Sequence, residues 1–391
     1  VVFGLWSICA VFGFMVLSTL GILLPAISAE LELSPSQQGV LASSAFWGNF
    51  IMAIPLSLWT SRYSPKILTT ITLLIGVFLI LLQGWAPIFV ALLLARVAFG
   101  LTLLAREPAR AILIKHWFSD GEIVLANSFS NIFFGIVVGG GLLITPFVLG
   151  GMQDSWRTTL YLYGGVFGLL TLLWVLMGRE VVTSEALKSE SADDKSLLRR
   201  SLMHKDLWIA GLGFVGATFA WSAFINFFPT LMLESHNVSL RWSGGILALG
   251  IFVGGVSGIV IAYLVMIRGR RNDTLKGLGV LMAGSYLGMT LTGNVSLLIG
   301  LGLLNGIAWS FWALLHTVAF DLPGIRTRET AVALGFLGVM MAAGTVLGPL
   351  AVGFLQESMG DLRLALFIVS FGPLSLSFAG AFLRSSREKA K

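Results

Sequence analysis

The sequence predicts an all-α membrane protein, twelve transmembrane helices arranged as two parallel repeats of six. Three observations carry that prediction. Hydrophobic residues make up 56% of the 391 and charged residues only 11%, with mean hydropathy +0.91; a soluble domain carries roughly 25% charged residues. Apolar runs of about 20 residues, the length that crosses a bilayer, recur twelve times. Finally, the halves repeat: LLPAISAELELSPSQQGVL (23–41) returns as FFPTLMLESHNVSLRWSGGIL (227–247), and GGGLLITPFVLGG (139–151) returns as GTVLGPLAVG (344–353).

In chain order the spans fall near 4–26, 38–59, 67–84, 88–114, 124–150 and 157–178, then 207–232, 243–266, 275–293, 296–319, 330–355 and 363–383. The first and seventh each carry a proline at one end, followed by a short polar loop and a glycine-led span. The fifth and eleventh are glycine-rich with an internal proline. The 46 glycines suit tightly packed membrane helices, because small residues let backbones approach. One connection differs from the rest. Residues 180–206 are polar, mixed in charge and free of long apolar runs. They divide the chain into an N-terminal bundle (1–179), a linker (180–206) and a C-terminal bundle with a short tail (207–391).

An even number of spans places both termini on one side. With the termini inside, nineteen of the 25 lysines and arginines fall in inside loops and the tail, and three fall outside. That bias predicts cytoplasmic termini, in a multi-pass protein expected in a bacterial inner membrane. The chain opens on Val1 within an apolar run and has no basic leader, so a trimmed N-terminus is expected rather than a signal peptide. A single cysteine, Cys9, excludes a disulfide framework, and the four histidines form no ligand-spaced pair. No metal and no cofactor is expected. The net charge of +6 sits in loops between apolar spans, which points to membrane orientation and not to nucleic acid. No nucleophile elbow, phosphate loop or metalloprotease pattern occurs, so an enzyme is not expected.

The fourth span carries the chemistry. At about 100° per residue, taking Arg96 as zero, Glu107 lies near +20°, Arg110 near −40° and Arg106 near −80°. Facing lipid at the membrane centre, each charge would cost about 2.5–3.5 kcal/mol or more, so the four must face protein or a water-filled cavity. Three arginines against one glutamate leave positive charge there. Something anionic is expected to be handled inside the membrane.

The residues around these spans resemble the major facilitator superfamily, and the resemblance covers the whole chain. Its signature between spans two and three is Gly-x-x-x-Asp-Arg-x-Gly-Arg/Lys; here residues 57–66 read SLWTSRYSPK, keeping Arg62 and a following basic Lys66 while Ser61 replaces the aspartate. Arg96 with Gly100 is similar to the family's fourth-span Arg-x-x-x-Gly pattern. Trp117-Phe118 with Glu122, and Trp156-Arg157, match positions where the family places such residues. The segment 322–325 (LPGI) resembles the family's nitrate, cyanate and organic-anion porters. The resemblance implies transport by alternating access, with a substrate site near mid-membrane where the halves meet, lined by spans one, four, seven and ten. It implies a gate at Arg62, Lys66 and Glu122, although loss of the aspartate removes the usual gating contact.

Aligning Gly100 with Gly306 sets Trp312 against Arg106 and His316 against Arg110. In span ten, Asn305, Trp309, Trp312 and His316 share one helical face, within about 60°. Arginine binds carboxylate or phosphate in a fork, and an indole both donates a hydrogen bond and stacks on an organic body. The expected substrate ligands are Arg106, Arg110, Arg96, Trp312, Trp309, Asn305, His316 and Trp221, with Glu107 as the candidate proton carrier. Each has a plainer reading: Arg96 fastens span four to backbone carbonyls, Arg110 snorkels or gates, Glu107 neutralises Arg110, and the others pack or bridge helices.

The expected function is secondary active transport of a small organic anion, a carboxylate most simply, as symport with protons or antiport with a counter-anion. The alternative is a proton-coupled exporter of amphipathic compounds. Expected partners are the anion, the bilayer and the coupling species, and a monomer is expected.

Overall fold

The first span is a bent pair of helices, α1 (Val2–Ser18) and α2 (Leu20–Leu31), set 44° apart. Ser18 Oγ donates to the Phe14 carbonyl and Thr19 Oγ1 to the Val16 carbonyl, and this kind of back-bonding bends helices. The span runs on to Leu31 instead of ending near 26. Next come α3 (Pro35–Ser44), opened by a capping box between Ser34 and Gln37, and α4 (Trp47–Ile51). α5 (Pro65–Trp85) is capped by Ser64, and α6 (Phe89–Trp117) is one unbroken helix. A π-turn (Gly135–Gly139) leads into α7 (Gly140–Gly151), and α8 (Trp156–Met177) is capped by Ser155. The structure, a computed structural model, describes residues 2–52, 56, 59, 63–117, 133–178, 202–322 and 327–384.

The second half opens with α9 (Lys205–His236), α10 (Leu240–Arg268) and α11 (Arg271–Leu291). Span ten is α12 (Val295–Ala308), a turn at Trp309 and Ser310, α13 (Phe311–His316) and a 3₁₀ turn (Thr317–Ala319). α14 (Thr327–Met359) follows, and the last span is α15 (Leu362–Val369) with α16 (Leu374–Phe382). Among the described residues, eight helices are long and apolar enough to cross a membrane, and the bent α1–α2 pair makes a ninth. The other three predicted spans are largely helical where described, with a turn at residues 45–46 breaking the second into α3 and α4. Two of them, 38–59 and 124–150, lie partly outside the described residues. The third, α11, is long enough but carries Arg271, Asn272, Asp273 and Lys276 in its first turns.

The chain forms two compact units, residues 1–190 and 191–391, and each repeats the other's packing. In the N-terminal unit α5 packs on α6 and α8, α1 on the π-turn, and α4 on α6. In the C-terminal unit α11 packs on α12 and α16, α9 on α14, and α10 on α12. These are the same span pairs in the same order. Glycine makes one of them possible: a Cβ added at Gly100 would strike the Ala45 carbonyl, and one added at Gly306 would strike the Gly250 carbonyl.

A separation of 206 positions relates a second set of contacts. Arg157 Nη1 donates to the carbonyls of Gly84 (3.0 Å) and Ala86 (2.7 Å), capping the end of α5. Arg363, 206 positions later, donates to the carbonyls of Thr290 (3.2 Å) and Leu291 (3.3 Å) at the end of α11. Glu30 takes both Arg157 Nε (2.7 Å) and Trp156 Nε1 (2.5 Å). Its counterpart at the same separation is His236, whose Nε2 lies 3.4 Å from the Thr290 carbonyl. In the first unit one arginine thus joins the ends of three spans, with a carboxylate added to it; in the second Arg363 joins two, and His236 brings the third to the same Thr290 carbonyl.

Candidate functional site

Two of the four charged residues of span four can be placed in full. Arg96 is 2% exposed, and its Nη2 donates to the Leu17 carbonyl at 2.9 Å, at the bend of the first span. Its Nε has no hydrogen-bond partner among the described residues. Arg96 thus reaches from α6 to the backbone of α1.

Arg106, also 2% exposed, lies further along the same helix. Its Nε donates to the Thr102 carbonyl one turn back (3.2 Å), and its guanidinium sits 5.8 Å from the centre of the Phe167 ring on α8, within cation–π range. Gly13 of α1 lies beside it: a Cβ added there would stand in ordinary contact with Arg106 Nη2, at 3.8 Å, and would strike the Leu103 side chain at 2.6 Å. Thus the guanidinium occupies a niche made by three spans, held by a backbone oxygen and an aromatic face. Glu107 and Arg110 belong to α6, but their side chains lie outside the described residues, as do Arg62 and Glu122 altogether. Lys66 is half-buried in the first turn of α5.

In the C-terminal unit the predicted face of span ten is interrupted but stays together. The helix breaks at Trp309 and Ser310, where Ser310 Oγ donates to the Ile307 carbonyl and reaches Ser257 Oγ of α10 at 3.1 Å. Even so, Trp309 and Trp312 stack at 6.2 Å, Trp312 and His316 lie 5.4 Å apart, and Trp221 of α9 meets Trp309 edge-on at 5.3 Å. His316 Nδ1 contacts the Trp312 carbonyl at 2.9 Å. Asn305 is buried and donates to Ser285 of α11 (3.1 Å), so it bridges helices. Phe214 and Phe228 are fully buried packing residues; Phe214 sets its edge against Trp312 and His316.

Sequence reasoning missed Tyr286. Its ring stacks on Phe224 at 4.1 Å, and with Trp221, Asn305 and Trp309 it lines a narrow cavity inside the C-terminal bundle. Adjacent polar residues Ser285 and Tyr286 in mid-span were the available signal. Among the described residues no cluster of three or more histidine, cysteine or acidic side chains has metal-binding geometry.

Membrane-length helices in two bundles of matching packing, with arginines buried within them, define a multi-pass integral membrane protein. The Major Facilitator Superfamily matches over residues 6–325, and the chain belongs to that superfamily. Among its relatives, the uncharacterized transporter YybO of Bacillus subtilis is 22% identical, over 89% of this chain and 85% of that one. The probable nitrate transporter NarT of Staphylococcus epidermidis is 24% identical (95% and 93% covered), and the probable sulfoacetate transporter SauU of Cupriavidus necator 23% (88% and 84%). In fold, the chain resembles a bacterial homologue of the human lysosomal transporter Spinster in an inward-facing, unoccupied conformation. That comparison has TM-score 0.78, 18% identity, and 98% and 94% coverage.

Proposed function

We infer that this transporter is a secondary active carrier of a small organic anion, most simply a carboxylate, moving by alternating access of its two bundles. The observation that carries the reading is Arg106, a guanidinium buried in mid-span within a niche of α1, α6 and α8. A permanent charge at that depth is costly and marks a substrate or ion pathway, and its planar fork suits an oxyanion. Arg110 adds charge one turn on, and Glu107 is the carboxylate available to link anion binding to a proton. Trp309, Trp312, His316 and Trp221 supply contact surface for the organic body. The gate belongs to Arg62, Lys66 and Glu122, and the polar segment 180–206 divides the two moving bodies. Relatives named for nitrate and sulfoacetate support anionic cargo. The positive-inside pattern supports cytoplasmic termini in a bacterial inner membrane.

Purified protein in liposomes tests the reading. One arm offers carboxylates, sulfonates and nitrate under an imposed pH gradient or against internal anion; the other offers lipophilic cations. Saturable uptake of an organic anion is expected. Uptake of the cations alone would replace this reading with amphipathic-compound export.

A further inference from the structure

In the C-terminal unit, Trp221, Trp309, Trp312 and His316 form a continuous line of rings, with neighbouring centroids 5.3, 6.2 and 5.4 Å apart. Phe214 backs it, edge-on to Trp312 at 5.6 Å and to His316 at 4.9 Å. Phe214 is fully buried, whereas Trp312 is 38% exposed and Trp221, Trp309 and His316 are partly exposed. The line thus has a packed back and an open front. Lipid is a poor match for that front, because it carries an imidazole, and polar side chains within spans face protein or water. At the positions 206 earlier the N-terminal unit carries Met15, Leu103, Arg106 and Arg110. The ring line is therefore a property of this half alone, and the aligned residues of the other half are aliphatic or cationic.

Resting on the reading of the chain as an organic-anion carrier, we propose that the line is a stacking wall for a flat, π-bearing organic body, which makes aromatic carboxylates the preferred substrate class. Stacked aromatic faces gain attraction beyond the area they bury. A saturated ring of the same size and charge gains the burial but not the stacking, and nitrate gains neither. The wall therefore sorts anions by their body.

The test uses the full-length protein in liposomes, with benzoate and cyclohexanecarboxylate as matched probes and Trp208→Leu as control, since Trp208 packs on Phe336 outside the line. Benzoate is expected to compete about tenfold better than cyclohexanecarboxylate, a difference of about 1.4 kcal/mol. Trp312→Leu is expected to bring the two probes to parity, Trp312→Phe to keep most of the preference, and Trp208→Leu to keep all of it. Equal competition by both probes in the wild type, or a preference that survives Trp312→Leu and Trp309→Leu, overturns the stacking wall. The carrier reading would still stand if Arg106→Ala abolished uptake of both. Failure of every carboxylate to compete or to be taken up overturns both.

Discussion

Arg96 and Arg106 share a helix, a charge and the same near-complete burial, yet their surroundings differ. Arg96 meets the backbone of α1 where that span bends, so its main effect falls on packing. Arg96→Ala removes the side-chain donor to the Leu17 carbonyl and empties a buried site. A lost charged hydrogen bond of that kind costs about 1–3 kcal/mol. The expected outcome is a clear drop in melting temperature of detergent-purified protein, measured by a thermal unfolding assay, with anion selectivity in liposomes unchanged. An unaltered melting temperature would remove its fastening role. The presence of both arginines in an apolar run was legible in the sequence, because charge inside a span has few tolerable positions. Their partners were not. The Leu17 carbonyl, Gly13 and Phe167 come from spans 79 to 93 residues or 61 residues away in sequence, and no local spacing encodes such meetings.

Among the elements, the spans were the most legible feature, since bilayer thickness fixes their length and composition fixes their faces. Breaks were less so. Thr19 and Ser310 turn their hydroxyls onto nearby carbonyls, but the same residue types elsewhere in the chain do so within straight helices, Thr72 and Thr171 among them. The arginine clamps were half visible: Trp156-Arg157 stands out as a pair, but its carboxylate partner lies at Glu30. The clamp's energetics are predictable from exposure. The Glu30 side chain is 47% exposed and that of Arg157 25%, and solvent-exposed ion pairs contribute about 0–1 kcal/mol. Arg157's bonds to the two orphan carbonyls of α5 are better shielded. Arg157→Ala is therefore expected to destabilise by about 1–3 kcal/mol, and Glu30→Gln, which keeps an acceptor for Trp156, by less than about 1 kcal/mol. Thermal unfolding of the two variants side by side checks the order; a larger loss from Glu30→Gln would make the ion pair, and not the capping, the main term.

For the molecule as a whole, the internal repeat links sequence, fold and function. The sequence repeat predicted equivalent bundles, and the packing inside each unit reproduces the same span pairs. Where the halves differ chemically is the informative part: arginine against tryptophan and histidine at aligned positions, glutamate against histidine in the clamps. The two units thus share one scaffold and differ in the side chains that it carries. The central claim is that the cargo's negative charge is taken by Arg106. The direct test is liposome uptake of the best-carried carboxylate by wild type, Arg106→Ala and Arg106→Lys, each confirmed folded by size-exclusion profile and melting curve. Arg106→Ala is expected to lose about 100-fold or more in uptake. Arg106→Lys should stay severely impaired, because an ammonium keeps the charge but not the fork. Arg106→Ala carrying the anion at wild-type rate and affinity would contradict that claim.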